Sequence, residues 1–275
     1  MKALEAVRAA ERELGAAGVP EPRTDAELLV AHVLGRSRSE LYVGCEIDDA
    51  ARRRLRPLLD RRSAREPLQY VLGEWGFRRL TLSVDERVLV PRPETEILVE
   101  RCLALLCDHA EPRVLDVGVG SGAIALALAD EHPGARITGV DASAGAIAVA
   151  RRNARRAGLA ARVELVVGDL LQGLVGPYDL VVSNPPYVRS DEVEALEPEV
   201  RDWEPRHALV APGVTGAIAR AAPGVLRPGG RFALECGAGQ AAGVGELLRS
   251  LGYEDITVTR DLGGTERVVD GRLSA

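Results

Sequence analysis

Aromatic residues are scarce in this chain of 275 residues, with two Phe, two Trp and five Tyr. Methionine occurs once, and Lys2 is the sole lysine among 35 basic residues. The Arg excess reads as compositional drift rather than a functional signal. Four cysteines, Cys45, Cys102, Cys107 and Cys236, form no CxxC pair. Four scattered histidines, His32, His109, His132 and His207, form no HExxH. Neither a disulfide framework nor a metal site is therefore expected. Long apolar runs are lacking too: uncharged stretches such as Val117–Ala129 and Ala142–Ala150 fall short of the roughly 20 residues a membrane helix needs. The opening MKALEAVRAAERELG interleaves Glu5, Glu11 and Glu13 with its apolar positions, which marks an amphipathic helix and not a signal peptide. The expected location is the cytoplasm, with no membrane contact.

What remains is ordinary globular composition, 46% apolar and 28% charged. That is enough for one large domain and a small one. The net charge of -6 is uneven. Residues 1–80 hold 15 basic and 13 acidic side chains, a balance of +2, and the rest hold 20 and 28, a balance of -8. A non-specific grip on nucleic acid calls for a basic domain, so no stable nucleic-acid binding is expected. Residues 1–66 read as helices: one with apolar positions at Leu4, Val7, Ala10 and Leu14, one over Ala26–Leu34 capped by Thr24 or Asp25, and one over Asp48–Arg65. The last turns Leu55, Leu58 and Leu59 inward and Arg52, Arg53, Arg54, Arg56, Arg61, Arg62 and Arg65 outward. That Arg face is either plainly solvated or a docking surface for an acidic partner. Residues 67–90 (PLQYVLG, then EWGFRRLTLSV) have the content of a β-hairpin linker.

Residues 91–275 begin with a helix from PRPETE (91–96) through Cys107, and from Arg113 β and α segments alternate. That order predicts an α/β fold, a Rossmann-like and mostly parallel seven-stranded sheet with helices on both faces, behind a small helical N-terminal domain. Where the first strand ends stands Asp116-Val-Gly118-Val119-Gly120-Ser121-Gly122, a glycine turn opening a helix. Its G-x-G-x-G run differs from the dinucleotide G-x-G-x-x-G. Asp141 ends the next strand, where a carboxylate can accept from ribose hydroxyls, and Asp169 ends the third, where a carboxylate can accept from an adenine amino group. Taken singly, Asp141 and Asp169 also read as helix caps; together with the turn they outline a site for an adenosine-containing cofactor. The fourth strand ends in Ser183-Asn184-Pro185-Pro186-Tyr187. Two prolines in series hold a stiff extended segment without N–H donors. The Asn184 side-chain oxygen and the Pro185 carbonyl can then accept both hydrogens of a planar –NH2 group, with Tyr187 on its flat face. This suits a poorly nucleophilic amide or amino nitrogen held in line with an electrophilic methyl.

Gly118–Gly122, Asp141 and Asn184–Tyr187 resemble those of class I S-adenosylmethionine-dependent methyltransferases acting on nitrogen. PLQYVLGEWGF (67–77), VLVPRPETE (88–96), DVGVGSGAIALAL (116–128), VVSNPPYV (181–188), EPRHAL (204–209), LRPGGRFALECGAGQ (226–240) and DLGGTERVV (261–269) narrow the resemblance to the peptide chain release factor glutamine methyltransferases, the HemK/PrmC family. The resemblance implies methyl transfer from S-adenosylmethionine, leaving S-adenosylhomocysteine, to the side-chain N5 of the Gly-Gly-Gln glutamine of class I release factors. It implies a cofactor site of Asp116, Gly118, Val119, Gly120, Ser121, Gly122, Asp141, Asp169, Leu170 and Asn184. Substrate falls to Asn184, Pro185, Pro186 and Tyr187, with Asn184, Pro185 and Tyr187 at the reaction. Residues 1–66 become a substrate-docking domain, in a chain expected to act as a monomer. Arg92 and Glu94 lie in a family hallmark, although a helix start explains Glu94 equally well, and APGVTG (211–216) is assigned no role. The alternative is an amino-methyltransferase acting on adenine or guanine in DNA or RNA. A nicotinamide oxidoreductase would leave NPPY idle, and a non-catalytic cofactor sensor would have no use for it.

Overall fold

A computed structural model describes residues 2–274. The first half of the chain carries α1 (Ala3–Ala16), α2 (Pro22–Leu34), α3 (Asp49–Ser63), α4 (Leu68–Leu72), β1 (Glu74–Phe77), β2 (Leu80–Ser83), α5 (Pro93–Leu106), β3 (Arg113–Val117), α6 (Ala123–Glu131) and β4 (Arg136–Asp141). There follow α7 (Ala144–Arg156), β5 (Val163–Val167), β6 (Tyr178–Ser183), the single turns α8 (Pro198–Arg201) and α9 (Arg206–Leu209), α10 (Val214–Ala221), β7 (Leu226–Glu235), α11 (Ala241–Ser250), β8 (Tyr253–Arg260) and β9 (Glu266–Leu273). They form two compact units, Met1–Glu74 with Leu196–Trp203, and Trp75–Ala195 with Glu204–Ala275.

In the first unit, α1 buries Ala3, Ala6, Val7, Ala10 and Leu14, so the expected positions Val7, Ala10 and Leu14 face inward while Leu4 is half-buried. α3 starts as expected, with the Asp48 carboxylate accepting from the Ala51 amide at 2.7 Å. Two expectations are corrected. α2 begins at Pro22, not after Thr24 and Asp25, because Pro at the first turn supplies a fitting φ and needs no N–H partner. Asp25 is thereby freed from capping. The second correction concerns the Arg face: Arg62 is buried, 4% exposed, with Asp25 at 2.7 Å, Glu199 at 2.8 Å and the Glu66 carbonyl at 3.1 Å. Arg65 joins it on Glu199 at 2.7 Å. Burial raises the Asp25 carboxyl pKa against the pull of Arg62. Burial also pushes Glu199 up, but Arg65 and Arg62 outweigh it and hold that carboxyl lowered. Arg52 pairs with Asp49, Arg56 with Asp60 and Glu13, and Arg61 with Glu66. The Arg run is thus largely answered within the unit itself.

PLQYVLG is also corrected, from hairpin to helix. Pro67 at the N-cap opens α4, Leu68, Tyr70 and Val71 are buried, and Gly73 closes it at φ 76°. The hairpin is confined to β1 and β2, a separate two-stranded sheet.

The second unit is built on a seven-stranded sheet of order β5-β4-β3-β6-β7-β9-β8. β3 to β7 pair parallel, and β9 pairs antiparallel with both β7 and β8. Alternate strand residues feed two cores. Val114, Leu180 and Val182 pack with Leu98, Leu126 and Ile147 on one face. Leu115, Val181 and Phe232 pack with Ile218 and Leu248 on the other. The chain leaves β3 toward β4 on one side, whereas β6 lies on the other, so the switch point falls between β3 and β6. That is where an open α/β sheet forms its ligand crevice.

Candidate active site

Strand register assembles the site. Val117 lies opposite Val140 on one side and Ser183 on the other, so Gly118, Asp141 and Asn184 emerge side by side. Asp141 lies opposite Val167, which brings Asp169 to the next strand end. Ser183 lies opposite Leu234, which sets Glu235 beside Asn184. The Ser183 hydroxyl donates to the Val117 carbonyl at 2.7 Å and staples the two central strands where they end.

The glycine turn is tightly held. Gly118 and Val119 amides both donate to the Val140 carbonyl, at 2.8 and 3.0 Å, and the Gly122 amide donates to Val119 at 2.8 Å. Gly118, at φ 77°, has open space where a Cβ would stand, so the backbone itself faces the crevice. The Asp141 carboxylate accepts from the Gly120 amide at 2.9 Å and the Ser143 amide at 2.8 Å. Each oxygen keeps a second lone pair for a ligand hydroxyl. Asp116 is wholly enclosed. One of its oxygens accepts from the Ala125 amide at 3.0 Å, and the other, Oδ1, has no partner. Burial pushes its pKa up to about 7.

A cavity of about 280 Å³ lies at these strand ends, lined among others by Gly118, Val119, Gly120, Ser121, Asp141, Asp169, Leu170, Asn184, Pro185 and Pro186. Three of the residues singled out from sequence do not line it. Asp116 is enclosed and holds the Ala125 amide in the first turn of α6. Gly122 starts α6 at φ 88°, where a Cβ would come within 3.0 Å of Leu126 Cδ1. Tyr187 turns its hydroxyl to Glu235, donating to Oε1 at 3.2 Å, and borders a neighbouring hollow with Pro186 and Gln240. Burial raises the Tyr187 pKa, and the Glu235 charge adds to it.

Several further residues support the site, and of these the sequence singles out Arg92 alone, without a role. Thr95, at the start of α5, accepts from Asn184 Nδ2 at 3.0 Å. Glu235, 1% exposed, has its pKa raised by burial against the Thr95 and Tyr187 hydroxyls and Arg267, while its Oε2 has no partner. Arg92 lines the cavity and is gripped by both Glu204 oxygens at 2.7 Å. Burial raises Glu204, opposed by Arg92. Asn153 on α7 donates to the carbonyls of Ser83 and Ser121, at 3.0 and 2.9 Å, and accepts from the Ser83 amide at 2.8 Å. Thr95 and Arg92 stand inside VLVPRPETE and Glu204 begins EPRHAL, so those motifs were the available signal. Asn153 had none, since mid-helix Asn has no characteristic spacing.

The donor set suits a cationic adenosine cofactor: a bare glycine backbone, acidic side chains at consecutive strand ends, and an orphaned buried oxygen beneath. Comparison with known proteins then decides the kind. Residues 5–73 match the family described as PrmC N-terminal domain, and residues 94–198 match the methyltransferase small domain. The release factor glutamine methyltransferase of Cereibacter sphaeroides is 42% identical over the whole of both chains. That of Geobacter sulfurreducens is 44% identical over 93% of this chain and 91% of its own. The chain belongs to the release factor glutamine methyltransferase family. Among solved structures, the hMettl16 catalytic domain in complex with an RNA hairpin superimposes with a TM-score of 0.57. It covers 71% of this chain and 76% of its own at 17% identity, a likeness of fold. This family member is therefore a methyltransferase with a Rossmann-like catalytic unit. Among its described residues no helix is long and apolar enough to cross a membrane.

Proposed function

We propose that the chain transfers a methyl group from S-adenosylmethionine to the side-chain N5 of the glutamine in the Gly-Gly-Gln motif of class I release factors. The observation that carries this reading is the side-chain amide of Asn184. Its nitrogen is engaged by Thr95, its oxygen is left to accept, and it stands in the cavity wall with Pro185.

Gly118 and Gly120 bring backbone close to the methionine end of the cofactor, Asp141 takes the ribose, and Asp169 with Leu170 borders the adenine. When bound, that cofactor supplies an electrophilic methyl. Asn184 Oδ1 and the Pro185 carbonyl hold the two amide hydrogens of the glutamine, fixing the nitrogen's direction and leaving its face open to the methyl. An amide nitrogen is a weak nucleophile because its lone pair is delocalised. Alignment and oriented dipoles are what these residues contribute, and the proton departs once the alkylated nitrogen has become acidic. The -8 balance of residues 81–275 supports a protein substrate over stable nucleic-acid binding.

The test is peptide mass spectrometry after incubation with S-adenosylmethionine and a class I release factor, beside matched reactions on DNA and ribosomal RNA. One added methyl on the Gly-Gly-Gln peptide is expected. With Asn184→Ala the rate should fall at least about a hundredfold, the scale of removing one oriented dipole from a reaction centre. Cofactor binding by calorimetry should stay within a few-fold. Label entering nucleic acid instead would refute the substrate.

A further inference from the structure

We infer that Thr95, backed by Glu235, is a positioning residue that decides which end of the Asn184 amide faces the crevice. The inference rests on the functional reading above and deepens it. The two ends of a side-chain amide are nearly identical in shape and opposite in hydrogen-bonding sense. If the nitrogen of Asn184 faced the glutamine –NH2, two donors would meet. Nothing in the Asn-Pro-Pro-Tyr segment itself prevents that reversal.

Thr95 prevents it. Its hydroxyl lies 3.0 Å from Asn184 Nδ2, and it is 4% exposed where it borders the cavity. A hydroxyl can donate or accept toward an amide, and what decides is where its single proton goes. Register brings Glu235 to the next strand end beside Asn184. The Glu235 carboxyl is buried, accepts from Tyr187 on Oε1 at 3.2 Å, and has an orphaned Oε2. Burial raises the Glu235 pKa, and the Thr95 and Tyr187 hydroxyls oppose it; once ionised, a buried carboxylate short of donors is a strong acceptor. The Thr95 proton is thereby drawn to Glu235, its oxygen is left to accept from Asn184 Nδ2, and Asn184 Oδ1 is left for the substrate. Glu235 also holds the Tyr187 hydroxyl, so one carboxylate sets both side chains of the motif.

The experiment uses the full-length enzyme, a class I release factor as substrate, and the same factor carrying Gly-Gly-Glu as competitor. Thr95→Val keeps the shape and removes the hydroxyl. The amide then turns its nitrogen away from the valine and toward the crevice. The kcat is expected to fall tenfold or more, with the S-adenosylmethionine Kd within twofold. Thr95→Ser should return kcat to within threefold of the parent. The diagnostic reading is discrimination: a reversed amide repels the –NH2 of glutamine and accommodates the carboxylate of glutamate. The competitor's Ki should therefore improve at least fivefold in Thr95→Val.

Glu235→Gln provides a second route, because its amide donates to Thr95 and releases the hydroxyl proton toward Asn184 Oδ1. The same shift in Ki is expected there should the valine variant fold poorly. Wild-type kcat in Thr95→Val, or a lowered kcat with unaltered discrimination in a folded variant, overturns the inference and leaves the functional reading standing. A parent enzyme that methylates no release factor overturns the functional reading itself, and this inference with it.

Discussion

At Asp141 and Asp116 two carboxylates of the same crevice are placed in opposite circumstances. Asp141 is half-buried and accepts from two amides, one on each oxygen, which leaves each oxygen a lone pair for a ligand. Removing it strips Gly120 and Ser143 of their acceptor, and with it the ribose partner proposed above. Asp141→Ala should therefore weaken S-adenosylmethionine by at least tenfold in calorimetry, consistent with one charge-assisted hydrogen bond. Unaltered affinity would contradict the placement. Asp116 is enclosed, and burial lifts its pKa from 3.8 to about 7. Below about pH 4 the folded and unfolded chains both carry the proton. Between there and pH 7 the unfolded chain ionises first, so the folded state loses stability as pH rises, by on the order of a few kcal/mol in all. Asp116→Asn has no proton to lose. Urea denaturation of both proteins at pH 5 and pH 8 should show the Asn variant gaining on the parent at the higher pH; a constant gap would mean Asp116 is not buried as described. The roles of these two residues were only partly legible. Glycine spacing and strand ends marked both, but spacing cannot distinguish a side chain that lines a cavity from one that holds the lining in place.

Among the elements, the sheet was the most readable part of the chain, because alternating apolar strands and Gly-terminated helices leave few topologies open. What the pattern could not supply was the reason Gly139 stands in β4. A Cβ there would lie 2.7 Å from Val119 and 2.9 Å from Leu165, so the strand is thinned to seat the glycine turn. That requirement arises from a contact between segments, not from local preference. α4 shows the same limit: Tyr70 and Val71 are strand formers by composition, but burial of three of its five residues and a Gly73 cap override propensity. The helical unit was misread in one further respect, since a run of arginines does not say which of them has a carboxylate waiting. Arg62 has two. Arg62→Met should cost about 3 kcal/mol, the scale of stripping buried charges of their partner, and urea denaturation followed by circular dichroism measures it. A loss under about 1 kcal/mol would place Arg62 among ordinary surface pairs.

For the molecule as a whole, charge and chain path tell different stories. The charge imbalance between residues 1–80 and the rest, +2 against -8, invites a single cut between a helical module and a catalytic one. The path refuses it, because Leu196–Trp203 belongs with the helical unit although it is flanked by catalytic sequence. No composition shift marks that excursion; the pairing of Glu199 with Arg62 and Arg65, and of Glu197 with Arg65, reveals it. Genetic exchange between relatives is constrained as a result. A crossover near residue 74 imports a foreign partner set for Glu199, whereas a double exchange that also carries 196–203 moves the ion pairs intact. Chimeras with one donor segment should melt several degrees below chimeras with two, and equal melting temperatures would show the excursion to be passive. In such a lineage, the helical unit and eight residues far downstream are inherited as a single heritable block.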